Sequence, residues 1–316
     1  MRLESTTVRR LRTLASQAVL VVAAGFLILR LAQDWTQVAP SLQRIQWGYV
    51  IAALVPTLGT LVATSWGWTW AMRWAGIPLS GWKGFSLYYR SSIFRYLPGS
   101  FWYIAGRAYL CQQESIPLSV FATSALVELF YLLAIGGVLG GGVGLLRSEF
   151  AFLLGMSAVC FLALVIMTIF PRLFALPQKF RRQMSMPLNP NRAILLYLWA
   201  IYLVAWLLYG LAFYWVLLSV VGPARIPIFY ALTVNTASWG VGFVSLVPTG
   251  LGVREAALSF LFQPYVPAHD VIIASLLHRI VEVSVEGCLW QFALRIKGDS
   301  PCAIPLAKVG KRKRIQ

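Results

Sequence analysis

The chain has 316 residues, 59% of them hydrophobic and only 12% charged, with a mean hydropathy of +0.72. A soluble domain carries roughly 25% charge, so the composition excludes an ordinary soluble fold and indicates an all-α polytopic membrane protein. The net charge of +17 is no sign of a nucleic-acid partner, because most basic residues stand in short clusters between uncharged runs, the pattern of cytoplasmic loops.

Arg2, Arg9, Arg10 and Arg12 precede a first apolar span at about 13–32, which places the N-terminus in the cytoplasm. No small-residue cleavage site follows Leu29, so this reads as a retained helix and not a removed signal sequence. A polar outer loop with Asp34 and Arg44 follows. From Ile45 to Met72 there are 28 residues without a charge, more than the ~20 needed to cross hydrocarbon.

The next stretch breaks the pattern. Arg90, Arg95, Pro98, Gly99 and Arg107 interrupt an otherwise apolar segment, and Glu128 lies in the helix after it. That helix, about Pro117 to Gly140, is followed by glycines to Gly144 that allow a neighbouring helix to approach closely. An uncharged run from Phe150 to Pro171 returns to a loop, 172–192, with five basic residues.

The second half is uncharged from Ala193 to Ala224 and again from Ile226 to Val253, with a turn at Gly222-Pro223. A second broken stretch, Pro248-Thr-Gly250-Leu-Gly252-Val-Arg254-Glu255, leads to a last helix, roughly Asp270 to Leu294, carrying His278, Arg279 and Glu282. Pro98, Arg107 and Glu128 match Pro248, Arg254 and Glu282 at offsets of 150, 147 and 154 residues. Paired Gly/Pro interruptions in two halves are a sequence pointer to a transporter-type site. The expected organisation is one membrane domain with pseudo-repeat halves at about 13–171 and 193–295, and a basic cytoplasmic tail at 296–316. Seven clear spans would leave that tail outside, so one broken stretch is expected to cross as well, giving eight. Whether the broken segments cross or re-enter is left open at this point.

Four of the ten acidic residues, Glu128, Glu255, Glu282 and Glu286, fall in apolar surroundings. An ionisable group at membrane depth costs at least ~2.5–3.5 kcal/mol and needs a partner or a watery cavity. Ser275, His278, Arg279, Glu282 and Glu286 recur at three- and four-residue spacings and share a helix face that must look inward. One reading is a cavity where Arg90, Arg95, Arg107, Arg254 and Arg279 receive an anionic headgroup, held in place by Glu128 and Glu282. Helix ends at the two breaks would offer backbone N–H groups to the same anion. The other reading makes Arg107–Glu128 and Arg279–Glu282 buried ion pairs that fix helix register. His278 and Glu282 lack a third metal ligand in their helix, and no zinc-protease, nucleophile-elbow or cofactor fingerprint occurs; no metal or cofactor is expected. Trp66, Trp68, Trp70 and Trp74 read as an aromatic belt at the membrane interface, and the four cysteines as small packing residues.

At this level of detail the chain resembles the lysylphosphatidylglycerol synthase transmembrane-domain family, flippase-like proteins of bacteria and archaea. The resemblance rests on Arg95-x-x-Leu-Pro-Gly-Ser, Gly106-Arg107, Glu128, and Leu246-Val-Pro-Thr-Gly-Leu-Gly-Val-Arg-Glu255, over about 15–295. It implies movement of lipids or lipid-linked sugars between leaflets, with Pro98, Gly99, Arg107, Pro248, Gly250, Gly252 and Glu255 at matching positions. The first box reads Pro-Gly-Ser-Phe-Trp where many members have Gly-Glu, so no role of that glutamate carries over. No aminoacyl-transferase domain is recognised, and the chain is not expected to synthesise lysyl-lipid by itself.

The expected function is therefore flippase-like: binding an anionic phospholipid or polyprenyl-phosphate-linked glycan and translocating it in the plasma or inner membrane. Two alternatives stand beside it. One is a membrane enzyme acting on a lipid carrier, with Glu128, Glu255 or Glu282 as base; the other is a subunit that recruits a peripheral glycosyltransferase through the 172–192 loop.

Overall fold

The computed structural model describes residues 35–92, 94, 102–171, 191–223, 226–245, 247 and 250–296. Arg95, Pro98, Gly99 and Pro248 lie outside these residues, as do the first span at 13–32, the basic loop from 172 to 190 and all but the first residue of the tail. The described residues are helical, without strands. In chain order the α-helices are α1 (Trp35–Gln43), α2 (Trp47–Trp74), α3 (Gly81–Ser92), α4 (Trp102–Gln113), α5 (Leu118–Gly140), α6 (Val143–Leu146), α7 (Phe152–Ile169), α8 (Arg192–Val221), α9 (Ile228–Val244), α10 (Val253–Phe262) and α11 (Ala268–Arg295).

Among the described residues four segments are long and apolar enough to cross a bilayer: Trp47–Trp74, Leu118–Leu146, Phe152–Ile169 and Arg192–Val221. A fifth, Ile228–Val244, is apolar but shorter. The molecule is a multi-pass membrane protein. Helix α11 has 28 residues, but His278, Arg279, Glu282 and Glu286 make it one that needs protein on its polar side.

Helices α2 and α8 form the central pair, packed along most of their length. Small residues let them meet: a Cβ on Gly67 would stand 2.7 Å from the Tyr202 ring, and the Thr60 hydroxyl donates to the Ala205 carbonyl at 3.3 Å. In lipid there is no water to expel from between apolar helices, so close approach and dispersion hold them together. The glycine-rich end of α5 does the same on its other sides. A Cβ on Gly140 would come within 3.1 Å of the Ala237 backbone in α9, and one on Gly137 within 2.4 Å of the Cys160 sulfur in α7.

Helix α7 is the most exposed of the described spans, with Phe152, Met156, Val159, Phe161 and Leu162 exposed. An apolar face of this size with hydrocarbon for solvent is a lipid contact. The tryptophans divide. Trp47, Trp66, Trp82 and Trp102 are exposed, whereas Trp68 and Trp74 are buried, so the aromatic-belt expectation does not describe these two. Trp68 lies under a buried guanidinium, and Trp74 packs with Tyr131 and Leu198 between α2, α5 and α8.

Candidate functional site

Among the described residues two groups of ionisable side chains are buried inside the helix bundle. The first is built from α2, α3, α4 and α5. Arg107 on α4 is 2% exposed and Glu128 on α5 is 8% exposed, and the guanidinium Nη1 donates to Glu128 Oε2 at 2.8 Å. The other carboxylate oxygen accepts from the Tyr88 hydroxyl at 3.0 Å. Arg107 Cζ stands 3.8 Å from the Tyr88 ring centroid and 5.0 Å from that of Trp68, while its Nε reaches Ser91 Oγ at 3.4 Å. Tyr88 and Ser91 sit three residues apart on α3 and so face the same way. A buried carboxylate and a buried guanidinium thus neutralise each other, with two rings and a hydroxyl around them. Arg90 takes no part in this grouping: it is exposed while Tyr88, Tyr89, Ser91 and Ser92 are buried.

The second group is built from α8, α9, α10 and α11. The chain enters α10 through Gly250 and Gly252, at φ +64° and +80°, a region open to glycine but strained for other residues. A Cβ on Gly250 would also meet the Gly242 Cα at 3.0 Å. In this structure those two glycines do a backbone task, turning the chain so that Arg254 and Glu255 enter the bundle. The Gly252 N–H donates to Glu255 Oε2 at 2.7 Å. The helix N-terminus expected to offer its N–H groups to a bound anion therefore gives at least this one to the chain's own carboxylate.

Glu255 is 1% exposed, and its other oxygen accepts from Ser275 Oγ at 3.1 Å and from Arg279 Nη2 at 3.0 Å. The sequence spacing suggested an Arg279–Glu282 pair within α11; the structure instead pairs Arg279 with Glu255 across α10 and α11. Glu282 is half-buried, a turn beyond His278 and close enough to act electrostatically on Tyr209.

Arg254 differs from Arg107 and Arg279. It is 5% exposed, its Nη2 donates to the neutral Asn235 Oδ1 at 3.0 Å, and its Cζ lies 5.5 Å from the Tyr209 ring centroid. His278, fully buried, packs edge-on against Tyr209 and Phe213 at centroid distances of 5.2 and 5.7 Å. Among the described residues no three His, Cys, Asp or Glu side chains group as metal ligands.

Helix α8 ties the two groups together. Tyr202 feels the charges of Arg107 and Glu128, and Tyr209 those of Arg254, Arg279, Glu255 and Glu282. Seven residues apart, they share a face of α8 about 10.5 Å apart along its axis. Sequence reasoning found the arginines and glutamates but missed Trp68, Tyr88, Tyr209 and Asn235. Only Asn235 carried a signal, as the one side-chain amide in the uncharged run 226–253.

The family model described as the lysylphosphatidylglycerol synthase TM region matches residues 16–286, and the chain belongs to that family, a group of membrane proteins of lipid metabolism or transport. No curated protein matches the chain.

Proposed function

Starting from that membership, we propose that this protein binds an anionic lipid, or a polyprenyl-phosphate-linked headgroup, within the α8–α11 half of the bundle and carries it between leaflets. The membrane is the plasma or inner membrane, with the N-terminus on the cytoplasmic side. The observation that carries the reading is the burial of two arginine–glutamate groups inside a bundle whose outer surface is apolar. Intramembrane charges that face inward mark substrate paths, because they are expensive wherever they do no work. The α8–α11 group suits a headgroup better than the other, since Arg279 and Glu282 are only partly buried and can be reached.

The interruption between α9 and α10 supports the same reading. It is the point where an apolar helix gives way to a short one, and discontinuous helices are what transporters use to meet polar cargo. The guanidinium fork of Arg254 fits a phosphate oxygen pair, and the choice of lipid rests with the rest of the headgroup.

The test is lipid movement in proteoliposomes. Fluorescent phosphatidylglycerol, symmetrically distributed, is bleached from outside, and loss beyond the outer-leaflet half reports translocation. Wild type is expected to exceed protein-free vesicles, and Glu282→Ala and Arg279→Ala, shown by gel filtration to be folded, to fall back toward them. Wild-type rates in both variants would overturn the proposal.

A further inference from the structure

Among the described residues, Arg107, Arg254 and Arg279 are not equivalent. Arg107 has the carboxylate of Glu128 at 2.8 Å and Arg279 that of Glu255 at 3.0 Å, but Arg254 has no carboxylate within ion-pair distance among the described residues. Its charge is met by the Asn235 amide oxygen and the face of Tyr209. A guanidinium taken out of water needs an opposite charge and acceptors for its remaining N–H groups, and a neutral amide supplies only part of that.

Further polar atoms accompany it. Arg254 Nε, Asn235 Nδ2, Ser238 Oγ and both ring nitrogens of His278 are buried and make no hydrogen bond among the described residues. Asn235 Nδ2 belongs to the amide that already holds Arg254. Ser238 is three residues on along α9 and so shares the Asn235 face, and His278 packs on Tyr209, the ring that Arg254 overlies. The set is rich in donors, has one fixed positive charge and lacks a negative one. Buried polar atoms left without partners in this number call for an explanation.

We propose that Arg254, Asn235, Ser238 and His278 form the protein's anion seat, which takes one oxyanion: a lipid phosphodiester or inorganic phosphate. Arg107 and Arg279 already have carboxylate partners, so neither supplies the seat's charge. The Nε edge of Arg254 presents a donor in the plane of the fork that suits an oxyanion, and Asn235 Nδ2 extends the row. This deepens the reading above and rests on it only for the lipid as a source of the anion.

The experiment is a thermal-shift titration of the purified full-length protein in uncharged detergent. One arm adds sodium phosphate against sodium chloride at equal ionic strength; the other adds phosphatidylglycerol against diacylglycerol. Wild type is expected to be stabilised in at least one arm. A response to phosphatidylglycerol alone makes the lipid the source, and a response to phosphate alone makes it the free anion. Arg254→Gln, which keeps length but removes the charge, is expected to require about tenfold more ligand or more. Asn235→Asp places a carboxylate against Arg254, and is expected to melt higher than wild type and lose the response. It decides the question even where Arg254→Gln does not fold.

The inference is overturned if wild type responds in neither arm, or if Asn235→Asp responds like wild type. Lipid translocation by wild type together with either result leaves the transport reading standing and removes the seat. A full, variant-sensitive response without translocation does the reverse.

Discussion

Breaking the Arg107–Glu128 pair from one side is predicted to harm the protein far more than removing it from both. The two side chains are 2% and 10% exposed, so neither charge can turn to water. Arg107→Met leaves the Glu128 carboxylate with the Tyr88 hydroxyl, and a stranded buried charge costs about 3–5 kcal/mol. Loss of the guanidinium over the Tyr88 and Trp68 rings adds about 1 kcal/mol, for a total near 5 kcal/mol. Glu128→Leu takes from Arg107 its carboxylate, softened by the rings, at about 3–4 kcal/mol. The double variant has no charge to strand and fills similar volume, so about 0–2 kcal/mol is expected. The single effects then exceed the double by several kcal/mol, a coupling that only contacting residues show. The assay is equilibrium unfolding of all four proteins by sodium dodecyl sulfate in mixed micelles. Single-variant losses that add up in the double would refute the claim that the two charges neutralise each other. So would losses below about 1 kcal/mol, the range of exposed pairs.

The remaining predictions use the same unfolding assay unless stated. Glu255→Ala removes the acceptor of Gly252 N–H, Ser275 and Arg279 together, and is expected to cost about 3–5 kcal/mol; a loss under 1 kcal/mol would show the network to be incidental. Gly67→Ala drives a methyl into the Tyr202 ring and should cost about 1–3 kcal/mol. By contrast, Gly155→Ala on the outer helix meets nothing within 4 Å and should be neutral or stabilise by up to about 1 kcal/mol. Gly250→Ala is predicted to lose about 1–3 kcal/mol from its positive φ and its approach to Gly242. Phe161→Arg on the exposed face of α7 should lower membrane-inserted yield, as a centre-of-span arginine costs about 2.5–3.5 kcal/mol in insertion; an unchanged yield would mean that this face does not meet lipid.

Much of this was readable along the chain. The long uncharged runs at Ile45–Met72, Phe150–Pro171 and Ala193–Ala224 required spanning helices, because the bilayer forces a backbone to bond within itself and sets the length over which it must do so. The same logic singled out Glu128, Glu255, His278 and Arg279 before any contact was known: a charge inside an apolar run must face inward, and helical spacing says which others face with it. Gly250 and Gly252 before Val253 were visible as a break, and the box around them, with the other paired in the first half, carried the family resemblance.

What the one-dimensional pattern did not contain was who pairs with whom. Arg279 has Glu282 three residues away, yet bonds Glu255 on another helix, because a pair between helices depends on how α10 and α11 cross and not on spacing within either. Trp68 looked like its interfacial neighbours Trp66 and Trp70; its place under Arg107 follows from α4 packing on α3 and α5, with the arginine side chain reaching across to α2. The contrast between an Arg107 paired with Glu128 and an Arg254 that meets Asn235 and Tyr209 is likewise a property of four helices at once. The sequence by itself determined that these charges had to be buried, since hydrocarbon admits no other place for them. Tertiary structure alone decided which of them were compensated, since charge pairing falls off over a few ångströms and only packing brings residues 20 or more apart in sequence within that distance.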